Sequence, residues 1–318
     1  MNRKIAMLLS GLLAFGFLFG GAAAGAEADV SFSAKAADNG IEPAAETPPA
    51  AEPAAASELV HTVRLGGTEL DYCVFGRGEK VFVILPGLSI HSVMNSADAV
   101  AAAYESYTQE YTVYLFERPH TVPEGVTIRD LAEYTAEAMN TLGIKQADVF
   151  GASMGGMMAQ WLAIDHPELV HKLILGSTLS KQNDNFHALA AEWAELASEK
   201  KETALLECFL DRVYSEATLA AFRDALLTAN AGVTDEEFAR FLPQAEACGN
   251  FDCYDKLSEI QCPVLVIGCE GDRVVTVEGS TEIADALGCE IYLYGPEYGH
   301  GVYDEAPDYR ERCLEFLK

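Results

Sequence analysis

Basic residues are scarce in this chain. It carries 21 Lys and Arg against 49 Asp and Glu, for a formal net charge of −28. Phosphate backbones and anionic lipid surfaces are gripped by clustered lysine and arginine, so this balance argues against a nucleic-acid partner and against adhesion to an anionic membrane. Metal-ligand spacing is missing too. No Cys-x-x-Cys pattern occurs among the eight cysteines, and neither a metal nor a cofactor is expected. No internal repeat is visible, which sets aside solenoids and propellers. No cysteine lies near the amino terminus, so a lipoprotein anchor is unsupported.

What is present begins with an export-like segment. Asn2-Arg3-Lys4 is a basic start, residues 5–19 are apolar, and Ala24-Gly25-Ala26 fits a small-x-small cleavage site. Residues 1–26 therefore read as a signal peptide. An uncleaved anchor is the rival, because the uncharged stretch Ile5 to Ala26 is just long enough to span a bilayer. Residues 27–57 are rich in Ala, Pro and Glu and lack aliphatic periodicity, so they read as a spacer without a core. An exported chain with an even number of cysteines raises the prospect of disulfides. Cys262 and Cys269 bracket one strand and stand about 20 Å apart if extended, too far to pair. Cys262 and Cys289 each precede one of two strands expected to be parallel neighbours and could meet. The alternative is a set of buried free thiols.

From residue 58 onward, apolar runs alternate with helical periodicity. Leu59 to Phe75 reads as a hairpin around Gly66-Gly67. Strand-like runs follow at residues 80–85, 112–116, 147–150, 172–175, 263–268 and 290–294, and helices are expected between them, with one at 128–142 and a closing one at 307–317. Between about residues 181 and 258 four helical stripes follow one another with no convincing strand. Alternation with near-continuous apolar strands implies a mostly parallel sheet covered on both faces, interrupted by an all-helical insertion. In such sheets chemistry sits at the carboxyl ends of the strands.

That rule picks out a small constellation. Gly151-Ala152-Ser153-Met154-Gly155 lies between a strand and a helix, the setting of a nucleophile elbow. The turn forces the serine into a strained backbone, so its neighbours must be small, and the following helix offers its free amides to a developing oxyanion. A serine hydroxyl is a weak nucleophile at neutral pH and needs a base, which needs an orienting carboxylate. Asp272, with Glu270 as the fallback acid, follows the strand ending at Gly268. His300, between two glycines, follows the last strand. Gly176-Ser177-Thr178, after the strand ending near Leu175, offers no acid. His91 and His120 also follow strands and are candidates for lining the site, as is Trp193 in the helical insertion. The remaining aromatic residues of the insertion are expected to pack it onto the sheet.

On Gly151 to Gly156, Gly268 to Asp272 and Gly299-His300 taken jointly, residues 58–318 resemble the α/β-hydrolase fold family, with residues 181–258 in the place of a cap. The resemblance implies a catalytic triad of Ser153, Asp272 and His300. It also implies an oxyanion hole made by the backbone N–H groups of Leu88 and Met154. Two departures stand out. Pro86 occupies a place where relatives commonly have histidine, and Glu117-Arg118-Pro119-His120 replaces an acid followed by Arg-Gly. The expected activity is that of an exported serine hydrolase acting on a small or medium carboxylic ester or thioester, a small-molecule substrate. Amide, peptide or carbon–carbon bond hydrolysis and perhydrolysis use the same triad. A non-catalytic binding protein on the same fold is the alternative of another class.

Overall fold

The computed structural model describes residues 57–318. The expected export segment, and the expected spacer up to its last residue, lie outside the described residues. Among the described residues, no helix is long and apolar enough to cross a membrane.

The chain enters through an antiparallel hairpin, β1 (Val60–Arg64) and β2 (Glu69–Gly76), turning at Gly66-Gly67. β3 (Lys80–Leu85) follows, then α1 (Ala97–Ala103) and β4 (Tyr111–Pro119). Next come α2 (Ile128–Thr141), β5 (Ala147–Ala152), α3 (Met154–Asp165) and β6 (Val170–Gly176). Helix α2 starts at a capping box in which the Thr127 hydroxyl accepts from Asp130 N and the Asp130 carboxylate accepts from Thr127 N. After the insertion the alternation resumes with β7 (Val264–Cys269), α8 (Thr276–Leu287) and β8 (Glu290–Tyr294). Two helices close the chain, α9 (Val302–Glu305) and α10 (Tyr309–Leu317).

The eight strands form one sheet in the order β1-β2-β4-β3-β5-β6-β7-β8. Pairing is antiparallel from β1 through β4 and parallel from β4 to β8. Every residue of β5 and β7 is buried, as expected of strands covered on both faces. At the foot of β3, Phe82 packs among Tyr104, Tyr107 and Tyr111 with ring centroids 5.1–6.1 Å away. The register levels the carboxyl ends of the parallel strands. Leu85 stands beside Gly151, Ala152 beside Gly176, Gly176 beside Ile267, and Cys269 beside Tyr294. The segments after β3, β5, β6, β7 and β8 therefore emerge along one rim.

The insertion comprises α4 (Asp184–Ser198), α5 (Glu202–Val213), α6 (Glu216–Asn230) and α7 (Asp235–Gly249). Side-chain caps from Asn183, Ser215 and Thr234 start three of them. It leaves and returns at one point, where Lys181 bridges Asp252 and Cys253 N donates to Ser180 O at 2.8 Å. Trp193, Phe209 and Phe241 pack its interior, with centroids 4.5 and 6.2 Å apart along that row.

All eight cysteines are free thiols. The pairing envisaged between Cys262 and Cys289 does not form. The register sets Leu265 beside Glu290, so Cys289 is level with Val264, two residues beyond Cys262. At about 3.3 Å per residue, that offset separates the two side chains along the sheet.

Candidate active site

Ser153 sits on the turn between β5 and α3 with φ 53° and ψ −119°. A non-glycine residue there is strained by about 1–3 kcal/mol, and the surroundings must hold it. They do so by hydrogen bonds on both sides. Ser153 N donates to Gly176 O at 2.9 Å, and Thr178 Oγ1 donates to Ser153 O at 2.8 Å. The turn also lies against the end of β3. A Cβ placed on Gly155 would stand 1.9 Å from Leu85 O and 2.7 Å from Pro86 O. Only glycine lets the first turn of α3 approach that backbone so closely. The same approach brings the segment Pro86-Gly87-Leu88 alongside the amide end of α3, whose first N–H groups have no partner within the helix.

His300 reaches this serine from the loop after β8. Its Nε2 is 2.9 Å from Ser153 Oγ, and its Nδ1 is 2.8 Å from Asp272 Oδ2. A carboxylate can only accept, so Nδ1 carries the proton and Nε2 is left to accept from the serine hydroxyl. All three residues are buried, with 6 % of Ser153 exposed. Asp272 is fixed on its other oxygen, where Oδ1 accepts from Val274 N at 2.8 Å and Val275 N at 3.0 Å. Glu270, the fallback acid, is exposed and does not take part.

The histidine loop is pinned to the cap. Gly301 N donates to Val213 O at 2.8 Å. The buried Glu305 accepts from Gly299 N at 2.7 Å and from Ser215 N at 2.9 Å, stapling the loop to the junction between α5 and α6. A Cβ on Gly299 would meet Ser215 N and Val213 O at 2.7 Å, so glycine is required there as well. Glu305 was not legible as part of the site, because its role depends on backbone ninety residues earlier in the chain.

A buried polar cluster lies beside the loop after β3. The Glu117 carboxylate accepts from Ser92 Oγ, Val93 N and Arg118 N, each at 2.8 Å. It also faces Arg118 Nε at 3.1 Å and Arg240 Nη1 at 3.4 Å. Burial alone would raise this carboxyl group, but the two guanidinium groups, with the Arg118 N–H and the Ser92 hydroxyl, outweigh it and hold the pKa at about 2. Burial pulls Arg118 down to about 10, partly offset by Glu117. Arg118 Nε donates to Gln244 Oε1 at 3.0 Å and its Nη2 donates to Ser89 Oγ. His91 makes two bonds to the cap, from Nδ1 to Glu237 Oε1 at 2.7 Å and from Nε2 to Asn230 O at 2.8 Å.

Of the residues expected to line a pocket, His91 is in this cluster and the other two are not. Trp193 is buried against Phe209 inside the cap, because α4 turns that face toward α5. His120 is half-exposed and bound to Asp71 at 2.8 Å, on the antiparallel side of the sheet. Among the described residues, no group of three His, Cys, Asp or Glu converges in a way that could hold a metal ion. A groove of about 680 Å³ between Trp161, α4 and α7 includes none of Ser153, Asp272 and His300.

A mostly parallel eight-stranded sheet with a strained serine at a strand–helix turn, a level rim of loops and a helical cap is the arrangement of an α/β hydrolase. The family model described as alpha/beta hydrolase fold matches residues 80–307, and the chain belongs to that family. The chain is 28% identical over 188 residues to 2-hydroxymuconate semialdehyde hydrolase of Pseudomonas putida, covering 58% of this chain and 66% of that one. It is 24% identical over 220 residues to 3-oxoadipate enol-lactonase 2 of Acinetobacter baylyi, covering 65% of this chain and 78% of the relative. Among solved structures, the enol-lactonase from Burkholderia xenovorans LB400 superposes with a TM-score of 0.69 at 21% identity, over 81% of this chain and 99% of that one. An alpha/beta hydrolase from a Medee basin deep-sea metagenome, MGS-M2, gives 0.73 at 19% identity, over 81% and 97%. At those identities the structural likeness speaks to the fold alone.

Proposed function

We propose that this protein is an exported serine hydrolase that cleaves a small or medium carboxylic ester or thioester through an acyl-enzyme. The observation that carries the reading is the unbroken hydrogen-bond chain from Asp272 through His300 to Ser153 Oγ. In the first step Ser153 Oγ attacks the carbonyl carbon while His300 Nε2 takes its proton. Asp272 holds the imidazole tautomer and stabilises the imidazolium. The carbonyl oxygen becomes an oxyanion that accepts from the N–H groups of Met154 and Leu88, a term worth about 3–4 kcal/mol per donor in comparable sites. Collapse of the tetrahedral species expels the alcohol or thiol, which takes the proton from His300. Water then enters, gives a proton to His300 and attacks the acyl carbon, and Ser153 leaves with that proton.

The lactonase relative supports an ester, since a lactone is a cyclic ester. Since 2-hydroxymuconate semialdehyde contains no ester, the similarity to its hydrolase supports the second reading, amide, peptide or carbon–carbon bond hydrolysis by the same three residues. Export is supported by the basic and apolar pattern of residues 1–26. The decisive measurement is hydrolysis of p-nitrophenyl acetate by the wild type and by Ser153→Ala, with circular dichroism to establish that the variant is folded. Turnover is expected to fall by a factor of roughly 10⁴ or more. A folded Ser153→Ala protein with wild-type turnover would refute the assignment.

A further inference from the structure

Resting on the reading of Ser153 as the nucleophile, we infer that Arg118 and Arg240 form a subsite for a carboxylate carried by the acyl part of the substrate. The two residues come from opposite walls. Arg118 ends β4 on the sheet side, and Arg240 lies on α7 of the cap. Among the described residues, both are bridged to one carboxylate, Glu117. The neighbouring pair His91 and Glu237 compensate each other when the imidazole is charged. While His91 is charged and offsets Glu237, counting Arg118 and Arg240 as +2 and Glu117 as −1 leaves one positive charge unmatched among the described residues, in a chain whose total is −28. A buried charge without a counter-ion is strongly disfavoured, so with His91 charged the cluster is short of one anion.

The hydrogen bonding points the same way. The Arg118 side chain is fully buried, yet its Nη1 has no hydrogen-bond partner among the described residues. The same is true of Arg240 Nη2. Buried guanidinium N–H groups are rarely left unmet, and a planar pair of donors is the arrangement that a carboxylate accepts from.

Place decides what kind of anion this is. Arg118 Nη2 donates to Ser89 Oγ, and Ser89 follows Leu88, the residue whose amide is assigned to the oxyanion. The strand order β4-β3-β5 sets the end of β4 two strands from the elbow, or about 10 Å at ordinary strand spacing. A substrate whose ester carbonyl rests on Ser153 would then run along the rim toward β4 and bring a terminal carboxylate to the two arginines. The substrate class is therefore an ester or lactone of a short dicarboxylic acid, and the arginines are specificity residues.

The test compares two acyl donors of similar length, mono-p-nitrophenyl glutarate and p-nitrophenyl pentanoate, by kcat/KM. The wild type is expected to prefer the glutarate ester by about tenfold or more, the factor that charge-assisted hydrogen bonds ordinarily supply. Arg240→Gln is expected to remove that preference mainly through KM, and Arg240→Lys to restore part of it. Arg240 is the residue to change because Arg118 is bonded on three sides and its loss endangers the fold. A second arm needs no turnover. Glutarate should raise the thermal midpoint of Ser153→Ala, and should fail to do so in Ser153→Ala carrying Arg240→Gln. Equal kcat/KM for the two esters in the wild type, or a preference unchanged in Arg240→Gln, overturns the subsite. If neither ester is turned over, the ester reading falls, and the glutarate shift alone decides whether the arginines bind a carboxylate.

Discussion

His91 should tie the cap to the loop after β3 in a pH-dependent way, and the tie can be measured. Its Nδ1 faces the Glu237 carboxylate at 2.7 Å and its Nε2 faces the Asn230 carbonyl at 2.8 Å. Both partners are acceptors, so both bonds exist only when both ring nitrogens carry protons, which is the imidazolium. Burial opposes the charged ring, but the bonds to Glu237 and Asn230 outweigh it and raise the pKa above the usual 6.5. Burial likewise opposes ionised Glu237, yet His91 and the Thr234 amide and hydroxyl pull that carboxyl group below 4.5. A raised histidine contributes stability that is complete below its unfolded pKa and is lost as pH rises through the folded one. A depressed carboxylate contributes stability that is complete above its unfolded pKa and is lost as pH falls through the folded one. The tie is therefore whole between about pH 4.5 and 6.5 and weakens above that window. A charge-assisted bond contributes about 1.5–3 kcal/mol when buried. Glu237 is 22% exposed on its side chain, so the lower part of that range applies, about 1.5–2 kcal/mol after screening. For a domain of this size that is about 3–6 °C of melting temperature. The assay is thermal unfolding of the wild type and His91→Gln from pH 5.5 to 8.5 at constant ionic strength. Other titrating groups contribute equally to both proteins, so the difference isolates the tie. The wild type should lose its advantage as pH rises. Parallel curves, with the same gap at pH 5.5 and 8.5, would refute the reasoning.

Gly155→Ala drives a methyl group into Leu85 O and Pro86 O, both main-chain atoms, so strand and helix must part. Overpacking of this kind costs about 1–3 kcal/mol, and urea unfolding together with a fall in ester turnover should register it. A variant as stable and as active as the wild type would show that the elbow does not depend on that contact. Export predicts that protein recovered from outside the producing cell begins at Glu27. Intact mass spectrometry checks this, and a mass that includes residues 1–26 would favour the uncleaved anchor.

The sheet was legible because parallel strands buried on both faces are written as continuous apolar runs, and the elements at residues 80–85 and 290–294 fall where the pattern puts them. One misreading traces to a partner distant in sequence and another to a proline. The strand expected at 112–116 runs from Tyr111 to Pro119, because β2 pairs along it as far as Leu70 beside Pro119. The helix expected from 307 begins at Tyr309 and is preceded by a separate turn, Val302–Glu305. Pro307 forces Ala306 into an extended backbone at ψ 121°, which separates the two. Glu305 then anchors the first turn by bonds to Gly299 and Ser215 that no local pattern encodes.

The same division explains the site. Strand-end loops can be found one at a time, so Ser153, Asp272 and His300 could be nominated from their own neighbourhoods, and the structure brings them within hydrogen-bond distance. Arg118 and Arg240 could not be nominated as a pair. Each belongs to an unremarkable helix or strand end, and the contact arises only because the cap folds α7 back over the ends of β3 and β4. The one local sign was the departure of Glu117-Arg118-Pro119-His120 from the acid followed by Arg-Gly expected in relatives. His120 of that segment, a candidate because it follows a strand, turns to Asp71 instead of the rim. On the proposed reading, reaction chemistry is written in short segments around a fixed sheet and selectivity in the crossing of cap and sheet. Substitutions on α7 should therefore change which ester is preferred more readily than whether an ester is cleaved.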